Sequence, residues 1–293
     1  MVLAGALGAS PARAGDAPGL SDATPFLMPD TSERTQAGVD VFLGSVDADQ
    51  GGALFSAEAT VVTFEPYVDI ALTDELKLWG RLPIAHANAK TTVLTVEQKE
   101  SDTLLGNLGL GARIMTQVSY DLRAGGGVLV HLPTADADGA DGNLVDPPLA
   151  AMVTRIFQLE RYVPDTATVG AHADVRFDVG RAFLQGQILY MHLLAEDEGV
   201  EDADLLRLGL ATGFWVTPTV ATMAELTTLS TVLDDDVQLN GSDDDEDFFH
   251  SLDLGLQLAQ PKWTLSLRFH LPLDDVFRDS GLLGGGADLT LYF

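Results

Sequence analysis

The sequence predicts an all-β fold, a closed antiparallel transmembrane β-barrel of about 12 strands with short periplasmic turns and long acidic external loops. Apolar residues recur at every second position over most of the chain, because a β-strand sends successive side chains to opposite faces. These alternating runs come in pairs, each joined by a tight turn and separated from the next pair by a longer polar segment. No run approaches about 18 consecutive apolar residues, so no membrane-spanning helix is predicted.

The end of the chain gives the clearest strand pattern. Residues 251–259 and 263–271 alternate between large apolar side chains and small or polar ones, and the short turn between them contains Pro261. Two such runs around a short turn predict an antiparallel hairpin. Residues 283–293 alternate in the same way and end on Phe293.

The same pattern, followed along the chain, predicts twelve strands. They lie near 34–45, 53–72, 76–86, 104–118, 122–133, 166–178, 182–194, 205–216, 220–231, 248–259, 263–272 and 282–293. The tight turns lie near 73–75, 119–121, 180–181, 217–219 and 260–262. The longer polar segments are 45–52, 87–103, 134–148, 195–204, 234–247 and 274–281. An even number of strands places both chain ends on the periplasmic side.

Residues 149–164 form the ambiguous segment of this scheme. A thirteenth strand there would make the number odd and would send the acidic loops to the periplasm. We therefore assign the segment to an external extension of the strand that follows it.

Proline follows leucine near the ends of three predicted strands, at Pro83, Pro133 and Pro272. Because proline cannot donate to a ladder, it marks the level at which pairing stops.

The N-terminal region is interpreted as two segments that precede a barrel at 34–293. Residues 1–14 are small and apolar and end in Ala12-Arg13-Ala14, as at the cleavage site of a signal peptide. The usual basic start is missing, which suggests a truncated signal with Met1 as a downstream start; an ordinary alanine-rich terminus is the alternative. Residues 15–33 are rich in Pro, Asp, Ser and Thr and are interpreted as a flexible periplasmic lead-in.

Composition limits the partners. The formal net charge of −28 argues against nucleic acid, because a phosphate backbone needs Lys and Arg. Cysteine is absent, which excludes disulfides and thiolate metal sites.

The acidic segments 196–204 and 234–247 are interpreted as solvated loops that share divalent cations with lipid phosphates. The weak metal candidates are Asp243, Asp244, Asp245 and Asp247, but the spacing of a calcium loop is not met. No cofactor is predicted.

The two faces of the predicted strands differ in chemistry. The lipid-facing positions are apolar or small: Leu104, Leu108, Leu110, Ala112, Ile114, Ala167, Val169, Ala171, Ala173, Val175, Phe177, Leu206, Leu208, Leu210 and Phe214. The predicted lumen-lining residues are Glu65, Asp69, Lys77, Arg81, Arg113, Arg123, His131, His172, Asp174, Arg176, Asp178, Arg207, Glu225, Asp253, Arg268 and His270. Since these charges nearly cancel, we expect the acidic loops at the external mouth to make the channel prefer cations at low salt.

Two resemblances refine the prediction. A chain that ends on an aromatic residue of an alternating strand resembles the bacterial outer-membrane β-barrels, in which the last strand closes the barrel and its end is read by the assembly machinery. The resemblance implies that Phe293 is an assembly signal. The phrases at 67–84, 105–113 and 125–136 resemble porin-like proteins of the phenol-degradation meta-pathway type, which are thought to pass small, often hydrophobic or aromatic compounds. No binding residue is carried over.

The function predicted from these observations is a non-enzymatic channel of the bacterial outer membrane for passive diffusion of small solutes. Its expected partners are the lipid bilayer, the barrel assembly machinery and a small-molecule solute. One alternative is a barrel enzyme acting on lipid, with His131, His172 or His270 and the partners Ser266 and Asp174. The other is a soluble or surface β-protein with calcium-binding acidic loops.

Overall fold

The computed structural model of this chain describes residues 25–28, 33–49, 55–93, 96–135, 147–195, 202–232 and 248–293. These residues form fourteen strands: β1 (Gln36–Asp49), β2 (Phe55–Ala71), β3 (Leu76–Arg81), β4 (Ile84–Val93), β5 (Val96–Leu105), β6 (Leu108–Gln117), β7 (Leu122–Leu132), β8 (Thr166–Val179), β9 (Ala182–Ala195), β10 (Ala203–Trp215), β11 (Val220–Val232), β12 (Phe248–Gln260), β13 (Trp263–Pro272) and β14 (Leu283–Tyr292). Helix α1 (Pro147–Thr154) and a 3-10 helix (Ile156–Arg161) precede β8, and α2 (Asp275–Asp279) precedes β14.

The strands close into an antiparallel barrel of 12 strands, as predicted. The ladder runs from β1 through β14 and back along the chain to β6, then through β3 and β2, which pairs with β1. The last strand completes the ring, since β14 pairs with β1 from Gln36 opposite Tyr292 to Ser45 opposite Leu283. Short turns join the strands at the end of the barrel where Thr73, Gly180 and Pro261 lie.

The strands alternate between a buried inner face and an exposed outer face. On β8, for example, Val169 and Val175 are exposed, whereas His172, Asp174 and Arg176 are buried. Exposed leucine, isoleucine, valine and phenylalanine recur on the outer face of the other strands. A lipid-facing charge near the bilayer midplane costs ~2–4 kcal/mol, so this distribution is the one that a membrane barrel requires.

The prediction of a polar loop at 87–103 is wrong, because most of this segment forms the hairpin of β4 and β5. The upper part of β2 leaves β3 and pairs with β4 from Phe64 opposite Ile84 outward. Proline 66 lies where β2 changes partners, and Pro83 lies between β3 and β4. Together β1, β2, β4 and β5 form an extension of the barrel wall at the end opposite the tight turns.

Residue Leu104 is buried, which contradicts the predicted lipid-facing position. The sequence pattern predicts one strand over 104–118. In the structure, β5 ends at Leu105 and β6 begins at Leu108. Two consecutive buried residues, Gly106 and Asn107, shift the alternation by one position. Leu105 is therefore exposed, and the residues after the break resume the predicted phase.

The segment 149–164 does not extend a strand; this prediction is also wrong. It forms α1 and the 3-10 helix, which fold back over the inner face of the extension and into the barrel. The alanine side chains of Ala85, Ala87 and Ala89 leave room there for α1, and Ala151 and Tyr162 are completely buried against this face. Burial of these apolar groups, together with the polar contacts described below, stabilises the folded-back segment.

Residues 25–28 lie within the predicted flexible lead-in but are packed inside the barrel. Met28 is buried beside Phe183, Ala211 and Trp215.

The predicted signal segment 1–14 and the acidic stretches 196–201 and 234–247 lie outside the described residues. Among the described residues, no helix is long and apolar enough to cross a membrane.

Candidate channel lumen

The lumen contains all the residues that the strand pattern assigned to it. Most are buried, while Arg81 and Asp178 keep 25% and 19% of their side-chain surface exposed. They occupy inward positions on β2, β3, β6, β7, β8, β10, β11, β12 and β13. Their role in selectivity stays a prediction. The pattern missed Asp40 and Tyr67, although both lie at alternating inward positions of β1 and β2.

The lumen charges are separated into two walls. The cationic wall lies on β3, β6, β7, β8 and β10 and consists of Lys77, Arg81, Arg113, Arg123, Arg176 and Arg207, with His131 and His172 among them. The acidic wall lies on β1, β2, β11, β12 and β14 and consists of Asp40, Glu65, Asp69, Glu225, Asp253 and Asp288. The exceptions have partners nearby: Arg268 bonds Asp40 at 2.6 Å, Asp174 bonds His172 at 2.5 Å, and Asp178 bonds Arg123 at 2.9 Å.

Residues 147–163, named the lumen plug here, carry charges that match both walls. Arg161 of the plug approaches Glu65 of the acidic wall to 2.6 Å, and Arg155 approaches Asp40 to 3.3 Å. On the other side, Glu160 lies 3.5 Å from Arg207 of the cationic wall. Removal of one partner from such a buried pair leaves an uncompensated charge, which is strongly destabilising. The plug is therefore held across the lumen rather than against one side.

Asn107 fixes the backbone of the plug. Its side-chain amide donates to the carbonyls of Glu160, Val163 and Thr166 at 3.2, 2.7 and 3.4 Å. Its side-chain oxygen accepts a bond from the backbone N–H of Ala135 at 3.0 Å. Asn107 is completely buried, so these partners satisfy groups that have no access to water. The sequence pattern did not predict this role for Asn107, which lies at a break between two strands.

The glycines of the same region make room for large side chains. A Cβ at Gly106 would lie 2.5 Å from the Arg161 carbonyl oxygen, so the strand break and the plug meet only if this residue has no side chain. A Cβ at Gly111 would lie 2.4 Å from the Trp79 ring. These two glycines therefore leave space inside the barrel for the plug backbone and for the Trp79 ring.

The segment 25–28 contacts the wall opposite Asn107. The backbone N–H groups of Phe26 and Met28 donate to the Glu225 carboxylate at 2.6 and 3.1 Å, and that of Leu27 donates at 3.0 Å. Arg268 donates to the Phe26 carbonyl at 3.2 Å. These bonds give a buried carboxylate several donors, which is the usual way in which such a group is tolerated.

Two cavities lie between these segments and the walls. The first has an empty volume of about 600 Å³, part of it open to solvent, and borders Asp40, Tyr67 and Asp288 of the acidic side. The second has an empty volume of about 620 Å³, also partly open, and borders the cationic wall. The side chains of Arg81 and Arg161 border both cavities, and both bond Glu65. This cluster is therefore the partition between the two spaces.

The predicted catalytic partners are not assembled. His172 bonds Asp174, and His270 bonds Asp253 at 3.0 Å, but within the described residues Ser266 makes no hydrogen bond to any histidine. His131 lies against Trp79 with ring centroids 6.5 Å apart. No cluster of metal-ligating side chains exists among the described residues, and the weak candidates Asp243, Asp244, Asp245 and Asp247 lie outside them.

Comparison with known proteins supports the architecture. No protein-family model matches the chain, and no curated protein is significantly similar to it. An outer-membrane channel from Pseudomonas putida F1 superposes with a TM-score of 0.59 at 14% identity, covering 94% of this chain and 99% of that one. The transport unit of the autotransporter AIDA-I from Escherichia coli gives a TM-score of 0.52 at 11% identity, covering 89% of this chain and 90% of that one.

At these identities the likeness concerns the fold. The chain has the fold of bacterial outer-membrane β-barrels, and the predicted fold class is confirmed. The finer resemblance to phenol-degradation transporters stays a prediction.

Proposed function

We propose that this protein is an outer-membrane channel through which small solutes diffuse, with the lumen plug as the restriction that solutes must pass. The single observation that supports it most is a closed barrel with an apolar outer face and a charged inner face. A lipid-facing location accounts for the outer face, and an aqueous lumen accounts for the inner one.

The plug determines how solutes would pass through such a channel. Its side chains meet both walls through ion pairs as well as through apolar contacts, and charged or polar solutes compete for the partners in the ion pairs. The Arg81 and Arg161 side chains border both cavities, and both bond Glu65. A small displacement of the 3-10 helix would connect the two cavities. Selection of hydrophobic or aromatic solutes belongs to the same proposal and has Trp79, Leu129 and Leu189 beside the second cavity as its support.

The first prediction tests this partition. Arg161→Ala removes one of the two side chains that border both cavities, while Glu65 keeps its bond to Arg81 at 3.3 Å and therefore remains paired. We expect the variant to fold and to show a several-fold larger single-channel conductance in planar bilayers than the wild type.

The control for this prediction is Arg181→Ala, the same substitution at an exposed turn residue outside the lumen. It should conduct like the wild type. Heat-modifiability on a gel reports folding for every variant. If folded wild-type protein and folded Arg161→Ala are both non-conducting, the channel proposal is wrong. If both conduct equally, the channel remains but the plug is not its restriction.

A further inference from the structure

The second lumen cavity borders a row of residues at one level of the sheet, three of which are cations. Antiparallel pairing places consecutive residues of the row directly opposite one another on neighbouring strands. The row is Lys77, Arg113, Gly127, His172, Leu189 and Arg207, which lie on β3, β6, β7, β8, β9 and β10 in turn. All five side chains of this row border the cavity.

Arg113 differs from the other arginines in the lumen. It is 5% exposed, and its side chain makes no hydrogen bond or ion pair with any residue that the structure describes. Its direct cross-strand neighbour is Lys77, which carries the same charge and is 4% exposed. Like charges opposite each other in a sheet are destabilising, and an unpaired buried charge is costly. An anion in the cavity would offset both costs.

The neighbours of Arg113 leave it available. Arg207 donates to the Phe157 carbonyl of the plug at 2.6 Å and is therefore already engaged. His172 uses Nδ1 to bond Asp174, and its Nε2 projects over Gly127, where a Cβ would lie only 2.5 Å away. Glycine at 127 thus lets the imidazole lean toward the strand that carries Arg113. The Arg113 side chain borders the cavity.

The rest of the lining includes the charged or polar residues Asp69, Arg81, His131, Glu160, Arg161 and Gln187, and it also has an apolar part. The indole of Trp79 lies over Gly111, two positions along β6 from Arg113, and Leu27, Leu129 and Leu189 border the same space. A planar guanidinium matches a carboxylate with two parallel hydrogen bonds, which an ammonium does not.

We propose that this cavity is a binding site for a small organic carboxylate, with Arg113 holding the carboxylate and Trp79 and the leucines holding an apolar body. The site deepens the proposed function and rests on it in one respect, since the solute must enter the lumen from outside. Binding itself is independent of transport and is measured on the detergent-folded protein. Loss of conductance with binding retained would contradict the channel alone, and the converse would contradict the site alone.

The second prediction uses benzoate as the probe, with acetate and benzyl alcohol as comparisons, and measures affinity by titration calorimetry on the full chain. Acetate lacks the apolar body, and benzyl alcohol lacks the charge. We expect benzoate to bind more tightly than either. Arg113→Gln should weaken benzoate binding by about tenfold, equivalent to ~1.4 kcal/mol, because the charge-assisted bonds are lost.

Two further variants complete the experiment. Arg113→Lys keeps the charge and should restore part of the affinity, which separates charge from bidentate geometry. Arg181→Gln, an exposed arginine outside the lumen, should bind like the wild type. The proposal is overturned if benzoate fails to bind, if acetate or benzyl alcohol binds as tightly, or if folded Arg113→Gln binds unchanged. Because the comparison of three probes uses wild-type protein, it decides the question even if a variant does not fold.

Discussion

At the scale of the residue, Asn107 controls how the plug is attached. It bonds three main-chain carbonyls and one main-chain N–H from segments more than twenty residues away in sequence. Main-chain groups persist whatever side chains the plug carries, so this attachment does not depend on the sequence of the plug. The ion pairs of Arg155 and Arg161 add to it, but each can be exchanged for a bond to a solute or to water.

The third prediction concerns this residue. Asn107→Ala leaves several buried main-chain groups without partners, and each unsatisfied group costs ~1–3 kcal/mol. We expect the plug to detach more often, so that amides of 147–163 exchange with deuterium faster while those of β8 to β14 remain protected. Hydrogen exchange followed by mass spectrometry measures this directly.

The matched control is Asn88→Ala, because Asn88 is exposed on β4. It should change stability by no more than ~0.5 kcal/mol, as is usual for surface substitutions. Exchange in the plug that is unchanged by Asn107→Ala would show that the ion pairs suffice to hold it.

At the scale of the element, β8 shows how one strand faces lipid on one side and the lumen on the other. Its exposed side chains include Val169, Val175 and Val179, and its buried ones include His172 and Arg176. A register shift of one residue would exchange the two sets and place a buried arginine toward lipid. The pairing with β7 and β9 is therefore fixed by the cost of lipid-exposed charge as well as by the turn at Gly180.

The fourth prediction tests the outer face of β8. Val175→Arg should lower the free energy of unfolding in lipid vesicles by ~2–4 kcal/mol if the residue lies near the midplane. Val179→Arg is the matched control, because Val179 is also exposed but is the last residue of the strand. There the cost should fall to ~0–1 kcal/mol. Equal destabilisation at both positions would contradict a depth-dependent lipid contact.

At the scale of the whole molecule, closure depends on the two ends of the chain meeting. The last strand pairs with β1, and the backbone N–H of Phe293 donates to the Thr35 carbonyl at 3.0 Å. The Phe293 side chain is 78% exposed, so it contributes little to packing within the barrel. Its exposed position is compatible with recognition by another protein, which is the role that the sequence predicts.

The fifth prediction is that deletion of Phe293 reduces assembly in cells far more than it reduces stability after refolding. The yield of heat-modifiable protein in the outer-membrane fraction measures the first, and unfolding of refolded protein measures the second. Phe269→Ala serves as the control, since it removes another exposed ring from the neighbouring strand without changing the chain end. Normal assembly of the deletion variant would contradict the assigned signal.

The barrel follows from the alternating pattern of the sequence. A closed membrane barrel exposes one face of every strand to lipid and the other to the lumen, so the requirement repeats every two residues and is visible locally. This is why the twelve barrel strands and the inward positions of residues such as Glu65, Arg113 and Asp253 follow from alternation alone. The prediction failed at Leu104 because the break at 106–107 reverses the phase without leaving any trace in composition.

Only the tertiary structure decided what fills the barrel. The alternating pattern gives the face of Lys77 or Asp288 but not its neighbours around the ring, so nearly balanced charges did not reveal two opposite walls. The plug has no alternating pattern, and its position depends on partners far away in sequence, such as Glu65, Asn107 and Arg207. The periodicity of a strand is set by a local rule that lipid imposes on every second residue, whereas a segment inside the lumen is placed by distant hydrogen bonds and charges that exist only after the barrel has closed.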